Sequence, residues 1–155
     1  MAIERLSVLD MEAAAGLDGD AATAVVSVTD PGVLAPLAEG FARILRLAFH
    51  DVDDDMLAAI EREPQLLGME VTPFEAHHAR ELLAFAEAVA RDPAPMKLVV
   101  HCHAGISRSS AVAWFLHQCY GGDLTWQPFF APNRRVLRLL VEVSGRPVDD
   151  PGLWK

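Results

Sequence analysis

Short apolar runs alternate along the chain with longer segments in which apolar residues recur at helical spacing. Residues 24–29, 43–49 and 97–101 are apolar or β-branched runs, and residues 3–9 form a weaker run of the same kind. Uninterrupted apolar runs of this length are typical of parallel strands that are buried on both faces. The pattern therefore predicts three buried strands, and it predicts residues 3–9 as a further strand at the edge of the sheet.

The clearest helix is predicted over residues 72–91. Thr72 can cap its first turn, Pro73 suits the first helical position and Glu75 completes a capping box. Beyond this start, one face repeats at intervals of three or four residues, at His78, Leu82, Phe85 and Val89. Such a stripe predicts a helix that packs against the sheet.

Two further helices are predicted nearer the C-terminus. Residues 107–120 are apolar on nearly every face, which is typical of an enclosed central helix. Residues 133–144 place Val136, Leu140 and Val143 on one face. Because strands alternate with helices, the sequence predicts an α/β fold with a central, mainly parallel sheet of four to five strands flanked by helices. No repeat or linker divides the chain, so residues 1–155 are expected to form one domain.

Composition and charge narrow the possible partners. The chain has 155 residues, of which 52% are hydrophobic, so it can build a core without disulfides or a structural metal. Its 22 acidic and 13 basic side chains give a formal charge of -9, which disfavours nucleic acid and anionic membrane surfaces as partners. The N-terminal residues lack the pattern of a secretion signal, and we expect a cytoplasmic protein without a membrane segment. The sequence predicts no oligomeric state.

The basic side chains are concentrated in the second half of the chain. Residues 1–92 hold 18 acidic and 6 basic side chains, whereas residues 93–148 hold 2 and 6. An anionic ligand is therefore expected to bind the second half. The two cysteines, Cys102 and Cys119, form no CxxC pair. We expect Cys119 to fill space in the core.

Candidate chemistry is concentrated in residues 101–109, His-Cys-His-Ala-Gly-Ile-Ser-Arg-Ser, between a predicted strand and the apolar helix. Ligands of open α/β sheets bind at the carboxyl ends of strands, where a helix N-terminus offers unpaired N–H groups. A loop from Cys102 to Arg108 can curl so that successive N–H groups converge on one tetrahedral oxyanion. Gly105 supplies the backbone freedom that such a curl needs.

Three side chains of this loop have complementary chemistry. Oriented amides, the helix dipole and the Arg108 guanidinium all favour the thiolate of Cys102, which is the nucleophilic form. Arg108 presents a planar fork that can bind two phosphate oxygens. Ser109 can donate its hydroxyl to the sulfur and stabilise it as a leaving group.

This loop resembles the signature loop of the cysteine-dependent protein tyrosine phosphatase superfamily, in which His-Cys is followed by five residues, Arg, and Ser or Thr. The arrangement of elements over residues 24–144 resembles the compact dual-specificity type. Residues 107–110 and 131–134 are similar to small bacterial members. The resemblance implies a phosphatase-like fold.

The resemblance also implies a two-step hydrolysis of a phosphomonoester on a protein, a peptide or a small molecule. Cys102 would form a cysteinyl-phosphate, and Arg108 would bind the phosphoryl oxygens. His101 would support the loop, and neither a metal nor a cofactor would be required. The phosphate would lie in the binding loop made by His103, Ala104, Gly105, Ile106, Ser107 and Arg108.

The family's general acid is an aspartate that follows a strand. Asp51 directly follows the run at residues 43–49 and is our choice, with Asp53, Asp54 and Asp55 as alternatives or as a solvated turn or helix cap. The chain has no Trp-Pro-Asp triplet, so a flap movement is not assumed. Residues 61–71 are an insertion relative to the shortest family pattern and could form a lid.

Other interpretations of the same residues stay open. The loop could belong to a phosphate-binding module without turnover, or to a rhodanese-like sulfur carrier; the Arg108–Ser109 pair favours phosphate over the latter. His103, Ala104 and Ile106 provide no lysine, which counts against highly charged inositol phosphates. Three aromatic residues outside the loop could wall a substrate cleft: Trp126, Phe129 and Phe130. Three arginines could extend the positive field toward the substrate, although a solvated helix face is expected for them: Arg134, Arg135 and Arg138.

Overall fold

The structure is a computed structural model that describes residues 3–63, 65, 68, 70–125 and 130–151. The following bounds define its regular elements. The strands are β1 (Ile3–Leu9), β2 (Thr23–Thr29), β3 (Arg43–Ala48), β4 (Met96–His101) and β5 (Asp123–Thr125). The helices are α1 (Met11–Ala15), α2 (Asp54–Arg62), α3 (Ala76–Ala90), α4 (Arg108–Tyr120) and α5 (Arg134–Ser144).

The five strands form one sheet in the order β3-β2-β4-β1-β5, and every pairing is parallel. The prediction of an α/β fold with a parallel sheet flanked by helices is confirmed. The expected edge position of residues 3–9 is wrong, because β5 pairs with β1 and encloses it. With only three residues and exposed Asp123 and Thr125 at its ends, β5 has no strand pattern in the sequence.

The outermost strand on the other side is β3. We predicted it to be buried, but its side chains are largely exposed and only Leu47 is fully enclosed. Its neighbour β2 lies between two strands, and all seven of its residues are buried. The apolar run was therefore sufficient to predict both strands, whereas their burial depends on the strand order.

The long helix α3 begins later than its capping pattern predicts. Its N-cap is Glu75, whose backbone N–H donates to Nδ1 of His78 at 2.9 Å. Thr72 is instead held to the residues that follow β3: its N–H donates to Nδ1 of His50 at 2.9 Å, and its carbonyl accepts from the His50 N–H at 2.7 Å. These tertiary contacts keep residue 72 outside the helix.

The main core lies between one face of the sheet and helices α3, α4 and α5. Helix α4 is the most enclosed of them, as predicted, with eight buried residues. Cys119, near its end, is half-buried and packs against this core, and burial raises the pKa of its thiol. No helix in the described part of the chain is both long enough and apolar enough to cross a bilayer.

Helix α5 is tied to α2 and to the start of α3 by Arg135. Its Nη1 contacts Asp54 at 2.7 Å, its Nη2 contacts Glu75 at 3.0 Å and its Nε donates to the carbonyl of Phe74 at 2.9 Å. Arg138 also contacts Asp54, at 3.0 Å. The expectation of a solvated arginine face is wrong for Arg135, whose side chain is only 14% exposed.

Candidate active site

Four neighbouring strands end at one edge of the sheet, and each is followed by an ionisable side chain. Asp51 follows β3, Asp30 follows β2, Cys102 follows β4 and Asp10 follows β1. Because these strands are parallel and adjacent, their carboxyl ends share one rim, where ligands of α/β sheets bind. The sheet order therefore places the thiol between carboxylates on both sides.

The thiol of Cys102 lies beneath the loop that joins β4 to α4 and is 2% exposed. The Gly105 N–H donates to its Sγ at 3.3 Å, and the Ser109 hydroxyl lies 3.1 Å from the same atom. Both groups can stabilise negative charge on sulfur. The structure thus brings together Cys102 and Ser109, as the sequence predicts.

Gly105 has a conformational and a steric reason to be glycine. Its φ is +71°, which L side chains rarely adopt. A Cβ at this position would lie 2.8 Å from the carbonyl carbon of Leu9 and from the backbone nitrogen of Asp10. The loop is therefore packed against the end of β1, which fixes the Gly105 N–H toward the sulfur.

Three carbonyl groups of the loop are hydrogen-bonded to segments beside it. His103 O accepts from Met11 N at 3.1 Å, Ile106 O from Ala131 N at 3.0 Å and Ser107 O from Asn133 N at 3.0 Å. Other loop N–H groups, at His103, Ala104, Ile106, Ser107 and Arg108, have no acceptor among the described residues. Unpaired N–H groups in a curled loop form a nest that binds anions.

The N-terminus of α4 adds to this nest. Its N-cap, Ser107, makes no capping bond, because the hydroxyl donates to Oδ1 of Asp51 at 2.8 Å instead. The first N–H groups of the helix are therefore not satisfied by a side-chain cap. An anion bound in the loop could accept hydrogen bonds from them.

The guanidinium of Arg108 is buried and only partly satisfied. Its Nη1 donates to Oδ1 of Asp30 at 2.7 Å and to the carbonyl of Phe49 at 2.8 Å. Its Nε is buried and has no partner in the part of the chain that the structure describes. A buried donor of this kind is unfavourable until an acceptor reaches it. A phosphoryl oxygen is one such acceptor.

Among the four candidate acids, Asp51 is the one bonded to the loop. Its Oδ1 accepts from Ser107 and from Nδ2 of Asn133, both at 2.8 Å, whereas Oδ2 has no partner among the described residues. The alternatives lie on α2. Asp53 caps it, Asp54 pairs with arginines, and Asp55 is exposed in its first turn.

Sequence reasoning missed the roles of Asp30 and Asn133. Asp30 has the signal of a turn residue before Pro31, and only its position after a buried strand could have indicated a site. Asn133 caps α5 and also contacts Asp51 and the Val52 carbonyl, so it joins the acid-bearing segment to the loop. A capping asparagine carries no signal for that second task.

His101 lies beneath the loop and is fully buried. Its Nδ1 lies 3.3 Å from the carbonyl of Cys102, which can only accept, so its Nε2 accepts from the Ser27 hydroxyl at 2.7 Å. Burial lowers the pKa of His101, and the charges of Arg46 and Arg108 lower it further. A neutral histidine with both nitrogens occupied is suited to holding the loop.

Two cavities border the loop on opposite sides. One, of about 340 Å³, is lined on the acid side by Asp51, Met56, Ser107 and Pro132 among others. The other, of about 470 Å³, is lined by residues at the end of β1 and on α1, together with Pro36 and His103. His103, which is exposed, therefore lies between this second cavity and the loop.

The remaining candidates have mixed outcomes. Phe130 is buried and contacts Trp114 edge-on, with ring centroids 6.4 Å apart, whereas Trp126 and Phe129 lie outside the described residues. Part of the 61–71 insertion also lies outside them, and its first two residues end α2. Within the described ranges, no group of three or more His, Cys, Asp or Glu side chains is arranged to hold a metal ion.

Comparisons of the chain with protein-family models, with curated proteins and with solved structures find no match. Functional inference therefore depends on the geometry at the sheet edge and on the resemblance of the loop.

Proposed function

We propose that this protein is a phosphomonoester hydrolase of the cysteine-dependent protein tyrosine phosphatase type, with a compact dual-specificity-like fold and with phosphotyrosine in proteins or peptides as its substrate. The observation that carries the proposal is the combination around the loop of residues 102–108: a buried sulfur, loop N–H groups without acceptors among the described residues, and a buried arginine nitrogen without a partner there. A tetrahedral phosphoryl group would satisfy all of these donors together.

In the first step, Sγ of Cys102 attacks phosphorus as the bond to the ester oxygen breaks. The loop N–H groups and Arg108 stabilise the charge on the other phosphoryl oxygens, which is commonly the largest contribution to catalysis. Asp51, with Oδ2 unoccupied, donates its proton to the departing oxygen.

In the second step, water attacks the phosphorus of the cysteinyl-phosphate. The Asp51 carboxylate takes a proton from that water, the S–P bond breaks and inorganic phosphate leaves. Gly105 N–H and the Ser109 hydroxyl, at 3.3 Å and 3.1 Å from Sγ, stabilise the thiolate that is released.

The decisive experiment compares the wild type with Cys102→Ser in hydrolysis of an aryl phosphate. We expect the variant to lose turnover by at least about 10⁴-fold, because a neutral hydroxyl is a far weaker nucleophile than a thiolate. Circular dichroism should show an unchanged fold. Substantial turnover by Cys102→Ser would remove the thiol from the mechanism.

The same proteins separate the alternatives. A binding module without turnover would bind vanadate but leave every phosphomonoester intact. A sulfur carrier would transfer sulfur from thiosulfate to cyanide, and we expect no such transfer. Asp51→Asn should slow esters with poor leaving groups about 10²-fold or more, and activated aryl esters much less. Equal slowing of both would point to Asp53, Asp54 or Asp55.

A further inference from the structure

The loop and its surroundings carry opposite requirements for charge. The loop N–H groups and the buried Nε of Arg108 require an anion, while the cavity beside the loop on the β1 side has two carboxylates in its lining, those of Asp10 and Glu12. Glu12 is exposed, and its side-chain carboxylate has no hydrogen bond or ion pair with any described residue. A ligand that fills both places would carry a phosphate and, close to it, a cation.

The cavity on the β1 side borders the loop of residues 102–108 at His103. His103 belongs to both, and its carbonyl accepts from the Met11 N–H at 3.1 Å, so α1 is bonded to the loop. Strand β1 is the direct neighbour of β4, and adjacent strands lie about 4.8 Å apart, so the end of β1 lies beside the loop that follows β4. A residue close in sequence to the phosphorylated one is therefore near enough to place its side chain in the cavity.

The apolar part of the lining suits the stem of a long basic side chain. Met11, Ala15 and Pro36 supply this surface. The segment that carries Pro36 is held in place, since Arg46 donates to the Ala35 carbonyl at 3.0 Å. Lysine and arginine place their methylene groups on apolar surface while the charge stays near a carboxylate. With a volume of about 470 Å³, the cavity has room for such a side chain.

We propose that this cavity is a subsite for a lysine or arginine side chain one or two residues from the phosphorylated residue of a peptide substrate. The inference depends on the proposed phosphatase function and specifies its substrate class: basic phosphopeptides are preferred over acidic ones. Glu12 is the specificity-determining residue, because its carboxylate is not engaged elsewhere among the described residues. Asp10 contributes charge but also caps α1 through the Ala13 N–H.

The test uses phosphotyrosyl peptides that differ only at one flanking position, with Lys, Ala or Glu, placed in separate series on either side of the phosphotyrosine. We expect the wild type to have a kcat/KM about tenfold higher for the Lys peptide than for the Glu peptide in at least one series at low salt, with a smaller ratio at high salt. Glu12→Gln should reduce the ratio to about one- to threefold, and Glu12→Lys should invert it.

A matched control removes the same charge from the same end of the chain. Glu4→Gln lies on β1 at the opposite edge of the sheet from the loop, and Glu4 is likewise exposed. It should keep both the wild-type ratio and the wild-type rate on an aryl phosphate. Turnover without a Lys preference, or a preference that Glu12→Lys retains, would overturn the subsite alone. Absence of turnover for every phosphoester would overturn the phosphatase proposal as well.

Discussion

Arg108, which is buried, and Arg135, whose side chain is 14% exposed, are bonded in different ways. Arg135 uses all three of its guanidinium nitrogens, with Asp54, Glu75 and the Phe74 carbonyl as partners. Arg108 directs one nitrogen, Nη1, at both Asp30 and the Phe49 carbonyl, and it keeps a buried Nε without any partner among the described residues. A saturated arginine stabilises the fold, whereas an unsaturated one is unfavourable for the fold and useful for a ligand.

The hydrogen-bond partners of the two arginines also lie in different parts of the fold. Arg135 joins three segments, since it connects α5 to α2 and to the start of α3. Arg108 is held by groups at the ends of two strands, Asp30 and the Phe49 carbonyl, which fix its direction. The comparison therefore predicts that the two arginines separate in mutagenesis, one affecting activity and the other stability.

The largest expected effect is on catalysis by Arg108→Lys. Lysine keeps the charge but cannot bond Asp30 and two phosphoryl oxygens at once, so kcat/KM for an aryl phosphate should fall about 10³-fold. The free energy of unfolding without ligand should change by less than about 1 kcal/mol. The bonds that are lost are offset, because a buried donor without a partner is removed with them.

Vanadate provides the control for this separation. It should raise the Tm of the wild type through preferential binding to the folded state and leave the Tm of Arg108→Lys nearly unchanged. Equal vanadate stabilisation of both proteins would contradict the role of the guanidinium in holding an oxyanion.

A smaller effect, on stability alone, is expected for Arg135→Gln. The substitution removes contacts to two carboxylates and one carbonyl, and we expect a loss of about 2 kcal/mol in the free energy of unfolding, since Asp54 and Glu75 are half-exposed and keep some solvation. Urea denaturation measures it. Arg138→Gln is the matched control on the same helix face, where the side chain is 43% exposed and the loss should be less than about 0.5 kcal/mol. Equal losses would show that saturation has no special value here.

The parts of the site that lie together in sequence could be predicted. The loop at residues 101–109 holds cysteine, glycine and arginine within one strand-to-helix connection, and Asp51 could be predicted from its position after a strand. Asp30 and Asn133 could not be assigned, because their contacts join residues 78 and 82 positions apart. Such contacts depend on the order of the strands, which no local pattern contains.

The fold has the same limit. Six elements, β1, β2, β3, β4, α4 and α5, are present within one residue of the predicted bounds. The start of α3 was displaced by the bonds between Thr72 and His50, so a tertiary contact overrode a local capping signal. The short strand β5 forms because β1 offers it a partner, not because of its own sequence.

The smallest expected effect is a loss of folding stability at low pH. Each of the two regions contains one buried histidine that should contribute to this loss. His101 lies beneath the loop, and His78 lies beside Phe74 at the start of α3; burial is the main reason that the pKa of each is lowered from its ordinary value of 6.5. A histidine with a lowered pKa binds a proton less readily in the folded protein than in the unfolded chain. The stability that each neutral histidine contributes is therefore fully present above about pH 6.5 and falls as the pH decreases below that value. Between about pH 7.5 and pH 5.5, each histidine should lower the free energy of unfolding by up to about 1 kcal/mol.

His78→Gln keeps a side-chain acceptor for the Glu75 N–H, and His101→Gln keeps one for Ser27. In urea denaturation each variant should weaken the pH dependence of stability, and the double variant should weaken it most. If both single variants keep the full acid sensitivity of the wild type, neither buried histidine causes the loss of stability in acid, and other groups are responsible for it.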